Sequence, residues 1–424
     1  TQEVEILTLE DCLRIGIDNN LSLEGKRKEI QKSKYGVSEN RSKLLPQINA
    51  IAGYNNNFDP PVSVTDGSSY GVPYNITKTL QHSANAGLEM QMPLFNQTLY
   101  TSMSIAKVME EISRLSYGKA REDVILQISK MYYLGQVTAE QIMLIKANIT
   151  RLEELRDITQ AFFDNGMSME VDLKRVNINL ENLKVQYDNA QAMMKQQLNM
   201  LKYIMDYPAE KEIALTPVNT DSITTVALTG LSENIYELQL SQSQVQLAER
   251  QKKIITNGYI PSLSLTGSWR YAAYTDKGYH WFHSGPSNQW FRSYGVGLTL
   301  RIPIFDGLDK TYKIKKAMID IENKRLAWED ARKNLQTQYL NAVNDLMNNQ
   351  RNFKKQKDNY LLAEDVYAVT SDRYREGIAS MTEVLQDEMQ MSEAQNNYIS
   401  AHYNYRVTNL MLLKLTGQIE SLVK

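Results

Sequence analysis

The sequence predicts a mixed α and β membrane protein built from a duplicated structural repeat. Three observations carry this prediction. Short words recur at an offset of about 211 residues, long helices show a seven-residue apolar period, and four short strands alternate between apolar and polar side chains. Each repeat is predicted to contain, in order, a helix, a strand, a loop, a strand, a long helix, a turn and a second helix.

The duplication rests on words that recur at nearly the same spacing. Pro-Leu-Phe-Asn at 93–96 returns as Pro-Ile-Phe-Asp at 303–306. Phe-Asp-Asn-Gly at 163–166 returns as Tyr-Arg-Glu-Gly at 374–377. Chance matches between short words would not have nearly equal offsets, so the chain is predicted to be two copies of one unit.

The composition narrows the class of protein. The 424 residues include 47 Lys and Arg against 49 Asp and Glu, a formal charge of −2, which gives no bulk attraction to nucleic acid. Cys12 is the only cysteine, which excludes a disulfide framework. The lack of any apolar run of about 18 residues argues against a membrane-spanning helix. The first residues lack a basic and apolar leader, so an exported protein is expected to be in its mature form.

The long helices are predicted from their seven-residue period, which is typical of coiled-coil packing. The first of them, 97–163, has 67 residues, about 100 Å at 1.5 Å per residue. Asn96 and Asp306 are predicted to cap the long helices, and Gly166 and Gly377 to end them in the left-handed conformation. In the second repeat the period runs through Tyr339, Leu346, Phe353, Tyr360, Tyr367, Tyr374, Val384, Met391, Tyr398, Tyr405 and Leu412. A generic antiparallel coiled-coil hairpin is the alternative interpretation.

Four strands are predicted from alternating side chains, at 47–55, 83–92, 262–271 and 293–302. Each has about ten residues, the length that a tilted strand needs to cross a bilayer core. The side chains expected to face lipid are Leu88, Met90, Leu263, Leu265, Trp269, Val296, Leu298 and Leu300. A small soluble sandwich with one wet face is the alternative.

The connections within the two strand pairs, 59–81 and 275–289, are rich in Gly, Ser, Asn and Pro and are predicted to be exposed loops. Aromatic side chains gather toward these loops, as in the interfacial belt of a membrane barrel. They are Tyr54, Phe58, Tyr271, Tyr274, Trp290, Phe291 and Tyr294.

Four strands are too few to close a membrane barrel, which needs about eight or more. Open strand edges are not tolerated in lipid, because every backbone polar group there must be paired. Oligomerisation is therefore expected, with two chains giving eight strands and three giving twelve. The same assembly would bring several helical hairpins side by side into a tube.

The sequence resembles the TolC family of bacterial outer-membrane efflux proteins. The matching words are Leu-Thr-Leu-Glu-Asp-Cys-Leu at 7–13, Leu-Leu-Pro-Gln at 44–47, Pro-Ile-Phe-Asp-Gly at 303–307, and Tyr374 with Gly377. The resemblance covers essentially the whole chain. It implies a homotrimer, with a twelve-stranded β-barrel in the outer membrane and a long α-helical barrel that spans the periplasm. It also implies docking to a periplasmic adaptor protein and, through it or directly, to an inner-membrane pump.

The expected segments follow the two repeats and an equatorial collar that the resemblance implies. They are an N-terminal segment (1–21), a helix (22–45), β-hairpin 1 (46–95), a helical hairpin (96–206), the equatorial inter-repeat segment (207–232), a helix (233–259), β-hairpin 2 (260–304), a second helical hairpin (305–416) and a C-terminal tail (417–424).

The candidate functional residues lie at the tips of the helical hairpins, near Gly166 and Gly377. Asp172 and Glu383 each stand six residues after these glycines, so a trimer would place six carboxylates around one mouth. Such a ring favours cations, although ordinary solvated helix charges are an equal alternative. We hypothesise that replacing both acids by Ala widens the mouth and raises single-channel conductance.

The resemblance also implies a lock made by a tyrosine, an acid and an arginine between neighbouring hairpins. Tyr374 and Asp172 match the first two roles. Ala379 stands in the place of the arginine, so the third role is absent or falls to Arg373 or Arg375.

No catalytic, cofactor or metal site is predicted. His280 and His283 fall in a predicted surface loop without a clear third ligand, although zinc needs three or four. Cys12 is expected to be packed and inert. Met167, Met169 and Met381 flank the tips, where thioethers could bind Cu(I) but more often fill space.

The prediction is therefore a passive outer-membrane exit duct, not an enzyme, that conducts drugs or other small molecules. Its expected partners are two further copies of the chain, the adaptor, the pump and outer-membrane lipid, with no nucleic acid and no cofactor. Alternative cargoes are polypeptides, as in type I secretion, and metal ions. The alternative from another class is a soluble coiled-coil scaffold with a β-hairpin interaction module.

Overall fold

The computed structural model describes residues 4–218, 229–276 and 290–423 and shows the predicted order of helices and strands in both halves of the chain. The helices are α1 (Leu9–Asn19), α2 (Leu21–Ser42), α3 (Gln97–Asp164), α4 (Glu170–Met205), α5 (Tyr236–Asn257), α6 (Asp309–Arg375) and α7 (Met381–Leu415). The strands are β1 (Glu5–Leu7), β2 (Gln47–Asn56), β3 (Val62–Asp66), β4 (Tyr74–Lys78), β5 (His82–Phe95), β6 (Ile213–Leu215), β7 (Ser262–Thr275) and β8 (Trp290–Arg301).

The helix lengths confirm the duplication. Helices α2 and α5 have 22 residues each, α3 and α6 have 68 and 67, and α4 and α7 have 36 and 35. The chain divides into two compact units. The helical unit contains Thr1–Ile30, Ile112–Gln242 and Arg325–Lys424, and the strand unit contains Gln31–Glu111 and Ser243–Lys324.

One antiparallel sheet, in the order β2, β5, β7 and β8, dominates the strand unit. Gln47 lies opposite Gln91, and Ser262 lies opposite Arg301. The four predicted strands are confirmed, and β5 and β7 are longer than predicted, at 14 residues each. Strands β2 and β8 are the edges of this sheet, so one side of each backbone is open to a further strand.

Of the two predicted loops, the second lies outside the described residues over 277–289. The first, 59–81, is largely exposed as predicted but is not a plain loop. Strands β3 and β4 form an antiparallel hairpin there, with Val64 opposite Ile76. The amide of Ser68 donates to Asp66 Oδ1 at 2.9 Å, which begins the turn between them. Apolar and polar residues alternate in both strands of this hairpin. The alternation was not recognised, because the surrounding segment is rich in Gly, Ser, Asn and Pro.

The seven-residue period of the second repeat forms the core of the helical unit. Val384, Met391 and Leu412 of α7 are fully buried, and Tyr367 is 4% exposed. The ring of Phe353 in α6 packs at 5.8 Å from that of Tyr398 and at 5.8 Å from that of Tyr405. Full burial of an apolar side chain contributes about 1.5–3 kcal/mol, so the residues of this period stabilise the unit.

A second, very small sheet lies in the helical unit. Strands β1 and β6 pair in parallel, with Glu5 opposite Ile213. Tyr132 of α3 donates from its hydroxyl to the Leu7 carbonyl at 3.2 Å, which fixes β1 against the helices.

The predicted caps of the long helices are only half correct. Asn96 Oδ1 accepts from the amides of Thr98 and Leu99 at 3.0 and 3.3 Å, as an N-cap does. Asp306 is not the N-cap of α6, because the chain first passes through a left-handed residue, Leu308 (φ 69°). Its carboxylate still accepts from the Lys310 amide at 3.2 Å.

Among the described residues, no helix combines the length and the apolar character that crossing a membrane requires.

Candidate functional site at the hairpin tips

The two hairpin tips of the helical unit have the same turn. Gly166 (φ 71°) follows α3 and Gly377 (φ 75°) follows α6, both in the predicted left-handed conformation. Their amides donate to the carbonyls of Phe163 and Tyr374, at 2.9 Å in each case. A side chain would strain this backbone, so glycine is favoured at both positions.

A solvent-open cleft of about 660 Å³ lies between the two tips of one chain. Its walls carry Arg175, Met167 and Met169 from the first tip and Arg375, Glu376 and Thr382 from the second. The cleft is therefore lined by thioethers, hydroxyls and charges of both signs.

Arg175 connects the two tips. Its Nη1 atom lies 3.3 Å from Asp172 Oδ1 in α4 and donates to Thr382 Oγ1 in α7 at 3.3 Å. The side chain of Asp172 is only 15% exposed, whereas that of Arg175 is 49% exposed. Sequence reasoning missed Arg175, although its position three residues after Asp172 places both on one helix face.

Glu383 has a different role from Asp172, although the repeat makes them equivalent in sequence. Ser380 donates from its amide to Glu383 Oε2 at 2.8 Å, and the Glu383 amide donates to Ser380 Oγ at 3.3 Å. This capping box lowers the pKa of Glu383, chiefly through the backbone hydrogen bond from Ser380. The carboxylate stays exposed and ionised at the start of α7.

Tyr374 lies inside the helical unit of its own chain. It is 6% exposed, and its hydroxyl donates to Thr159 Oγ1 at 3.3 Å. Its ring packs against Phe162 with 5.6 Å between the centroids. Within one chain, the structure does not bring Tyr374 to Asp172 by any hydrogen bond among the described residues.

Arg373 and Arg375 are the two candidates for the arginine of the lock that the resemblance implies. Both lie on the second hairpin. Arg375 contacts Asp372 at 3.4 Å and Glu154 of α3 at 3.5 Å. The charge of Arg373 adds a smaller contribution to the lowered pKa of Glu383. Neither contacts Asp172 among the described ion pairs.

Behind the tips, a polar cluster ties three helices together. Arg151 of α3 donates to Glu364 of α6 at 2.5 Å and to Asn148 Oδ1 at 3.0 Å. Asn148 in turn donates to Gln395 of α7 at 2.7 Å. Sequence reasoning did not find this cluster, because the spacing within each helix does not show which polar residues face one another.

Glu388 is a buried acid between the tips and this cluster. It is 4% exposed, and its Oε1 atom has no hydrogen-bond partner in the described structure. Burial raises the pKa of Glu388 to about 7. Tyr367 of α6 lies nearby, and burial, with the Glu388 charge second, raises its pKa to about 12.

In the strand unit, the register places the eight predicted lipid-facing side chains on one face of the sheet. Trp269 lies between Leu88 and Tyr294, and Leu265 lies opposite Leu298. Glu89 and Arg270 form an ion pair on the opposite face. Alternation also places Tyr274 and Phe291 on that opposite face, away from the other aromatic residues of the predicted belt.

The remaining chemistry-bearing residues do not form a site that the structure describes. His280 and His283 lie outside the described residues, among which no metal-binding cluster of His, Cys, Asp and Glu occurs. Met167 and Met169 are exposed, while Met381 is buried. Cys12 is fully buried, and burial raises the pKa of its thiol to about 12, which makes it unreactive.

The sheet is amphipathic and has open edges, and the duplicated helical hairpins end in polar tips. These features are typical of a membrane channel protein. The family model "Outer membrane efflux protein" matches residues 15–205 and 227–418. The chain belongs to this family.

Named relatives agree with the family. The chain is 21% identical to the outer membrane protein TolC of Vibrio cholerae over 399 residues, 90% of this chain and 84% of that protein. It is 23% identical to the toluene efflux pump outer membrane protein TtgC of Pseudomonas putida (strain DOT-T1E) over 379 residues, 84% of this chain and 75% of that one. The solved structure of CusC superimposes with a TM-score of 0.80 at 15% identity and covers 96% of this chain and 91% of its own.

The protein is accordingly an outer-membrane efflux duct that extends into the periplasm, a passive conduit and not an enzyme. Family membership excludes the soluble coiled-coil scaffold.

Proposed function

We propose that three copies of this chain form the exit duct of a tripartite efflux system for small molecules. The open edges of the four-stranded sheet carry this proposal. If β8 of one copy pairs with β2 of the next, three copies give twelve strands and leave no edge. The face with Leu88, Trp269 and Leu298 then contacts lipid, and the face with Glu89 and Arg270 lines the lumen.

Exposed apolar stripes on the helices support the same assembly. On α4, Val171, Ile178 and Val185 are spaced by seven residues and are 43–62% exposed. On α6, Leu340 and Met347 have the same spacing and are about half exposed. These stripes stay about half exposed in the described part of one chain, and seven-residue spacing is the pattern that packs on a neighbouring helix.

The tips serve, in this proposal, as the gate and as the docking surface for a periplasmic adaptor and its inner-membrane pump. Asp172 and Glu383 from three copies would surround the mouth with six carboxylates and favour cations. A partner opens such a gate only if it binds the open state more tightly than the closed one. The capping role of Glu383 supports its place in the ring, because it keeps the carboxylate ionised at the end of the hairpin.

Small molecules are the proposed cargo because TtgC, which covers 84% of this chain, is named as part of a toluene efflux pump. Polypeptides and metal ions are outcomes of a transport test. In cells that lack their own outer-membrane duct, expression with a matching adaptor and pump should restore resistance to organic solvents and dyes. Restored copper resistance or toxin secretion alone would contradict the small-molecule cargo.

The assembly is tested with the purified protein in detergent and in planar bilayers. Light scattering should give a protein mass of three chains, and the trimer should conduct ions with uniform single-channel steps. A detergent-free monomer without conductance would contradict the proposal.

A further inference from the structure

The four places where a helix meets a strand lie at the same end of the four strands. Strands β2 and β7 begin there, and β5 and β8 end there. The register shows this directly, because Gln47 lies opposite Gln91, Phe95 opposite Leu263, and Ser262 opposite Arg301. We call this end of the four strands the helix-side edge, which is distinct from the open edges formed by strands β2 and β8. All of it belongs to the strand unit.

Aromatic side chains gather at the helix-side edge, where the sequence pattern did not predict a belt. Phe95, Tyr100, Tyr259, Phe305 and Tyr312 are each at least 40% exposed, and Phe305 is 81% exposed. Exposed aromatic rings beside an amphipathic sheet are typical of the interface between hydrocarbon and head groups. They place that interface at the strand–helix junctions.

Beyond these rings, the chain is basic. The four adjoining segments, 31–46, 96–108, 246–261 and 302–316, contain twelve Lys and Arg but four Asp and Glu. The whole chain has 47 against 49. At the opposite edge, the described residues of the connections, 57–81 and 276, contain one Lys and three Asp. Positive charge is therefore concentrated on one side of the sheet.

Much of this positive charge is exposed and is not neutralised within the chain. Lys34, Arg41, Lys253, Lys315 and Lys316 are exposed, and none lies within 4 Å of a carboxylate in the part of the chain that the structure describes. The side chain of Lys315 also lies over an aromatic ring, with its Nζ 5.6 Å from the Tyr312 ring centroid. We call these five residues the basic collar.

We propose that the basic collar binds the phosphate groups of anionic phospholipids in the membrane leaflet at the helix-side edge. Lys and Arg next to an interfacial aromatic belt lie at head-group depth, where anionic lipid attracts them. The belt below the collar holds the cations at that depth, and the acidic opposite edge does not offer the same attraction. This inference rests on the proposed membrane insertion of the sheet.

The test compares lipids on the full-length protein in a neutral detergent. Phosphatidylglycerol should raise the melting temperature and remain bound in native mass spectra, whereas phosphatidylcholine at equal concentration should do neither. The apparent affinity for phosphatidylglycerol should weaken roughly fivefold or more when NaCl rises from about 50 to 500 mM, because salt screens exposed charges.

The decisive variant is Lys34→Gln, Arg41→Gln, Lys315→Gln and Lys316→Gln combined. Its matched control, Lys146→Gln, Lys195→Gln, Lys354→Gln and Lys355→Gln, removes four exposed charges from the helical unit. The collar variant should lose the preference for phosphatidylglycerol, and the control should keep it. Equal loss in both variants would overturn the proposal and indicate a general charge effect.

Two further arms distinguish lipid binding from a free-phosphate site and from an effect of the cations on the lumen. Soluble glycerol 3-phosphate should not reproduce the stabilisation, and equal stabilisation would indicate a free-phosphate site and overturn the lipid assignment. If the collar variant keeps its lipids but changes ion selectivity in bilayers, the cations act on the lumen and the proposal is wrong.

Conductance of the unmodified protein tests the duct separately, so failure of the duct and failure of the collar give different results.

Discussion

The guanidinium group of Arg175 lies 3.3 Å from the hydroxyl oxygen of Thr382, so one side chain joins the start of α4 to the start of α7. The same nitrogen is 3.3 Å from Asp172, which is the less exposed of the two charged partners. Because half of the Arg175 side chain is in solvent, the ion pair itself contributes no more than about 1 kcal/mol. Its importance lies in holding the two tips together.

We therefore expect Arg175→Gln to loosen the tips without unfolding the protein. The loss of the link between α4 and α7 should raise single-channel conductance in planar bilayers, while the melting temperature changes little. Lys174→Gln is the matched control, because the ion pair of Lys174 in the described part of the chain is with Glu170 of its own helix, at 2.7 Å. Equal conductance in all three proteins would show that Arg175 does not restrict the mouth.

Replacing the two tip acids separates charge from size. Asp172→Asn with Glu383→Gln should reduce the preference for cations, since both carboxylates disappear while the side-chain volumes and the capping hydrogen bond to Ser380 persist. Asp172→Ala with Glu383→Ala should also raise conductance, because it empties space at the mouth. Reversal potentials in a salt gradient and single-channel steps measure the two effects. An unchanged reversal potential in both variants would remove these acids from the ring.

Because the carboxyl of Glu388 is buried, the stability of the folded protein should depend on pH. Its pKa is raised to about 7 in the folded state from 4.5, so between these pH values the folded protein keeps a proton that the unfolded chain has lost. Stability should therefore fall as pH rises across this range, by at most about 1.4 kcal/mol per pH unit, and level off above it.

Glu388→Gln should flatten that part of the profile in thermal unfolding between pH 4.5 and 8. Glu393→Gln, on the exposed face of the same helix, is the control and should leave the slope unchanged. Glu122 keeps part of the slope in either variant, because burial raises its pKa to about 7 as well. Identical profiles for the Glu388 variant and the parent protein would show that the buried carboxyl is solvated.

The parts of the fold that sequence predicts well are those with a local period. Alternation over about ten residues marks β5 and β7, and seven-residue spacing marks Val384, Met391 and Tyr398, because each period fixes which side chains share a face. The same spacing also places Glu388 in the core, four residues after Val384 and three before Met391. The burial of this acid could therefore have been predicted from the period alone.

The parts that sequence does not predict depend on contacts between distant segments. Strand β1 pairs with β6 over only three residues, and the two are separated by about 200 residues, so no local pattern marks them. The link from Arg175 to Thr382 has the same character, since it requires α4 and α7 to be neighbours. The repeat predicted that Asp172 and Glu383 are equivalent, but their hydrogen bonds differ because Ser380 caps α7 while Met169 offers α4 no capping side chain.

Two adjacent positions of β8 test which face of the sheet meets lipid. Leu298 lies opposite Leu265 on the apolar face, and Thr299 lies opposite Ser264 on the other face. Leu298→Arg places a charge in the hydrocarbon, which costs about 2–4 kcal/mol near the middle of the bilayer. It should lower the amount of heat-resistant trimer in the outer-membrane fraction. Thr299→Arg adds the same side chain to the lumen, so it should leave assembly intact and change conductance instead. If the two variants assemble equally well, or if Thr299→Arg is the more harmful, the apolar face does not contact lipid and the twelve-stranded barrel is wrong.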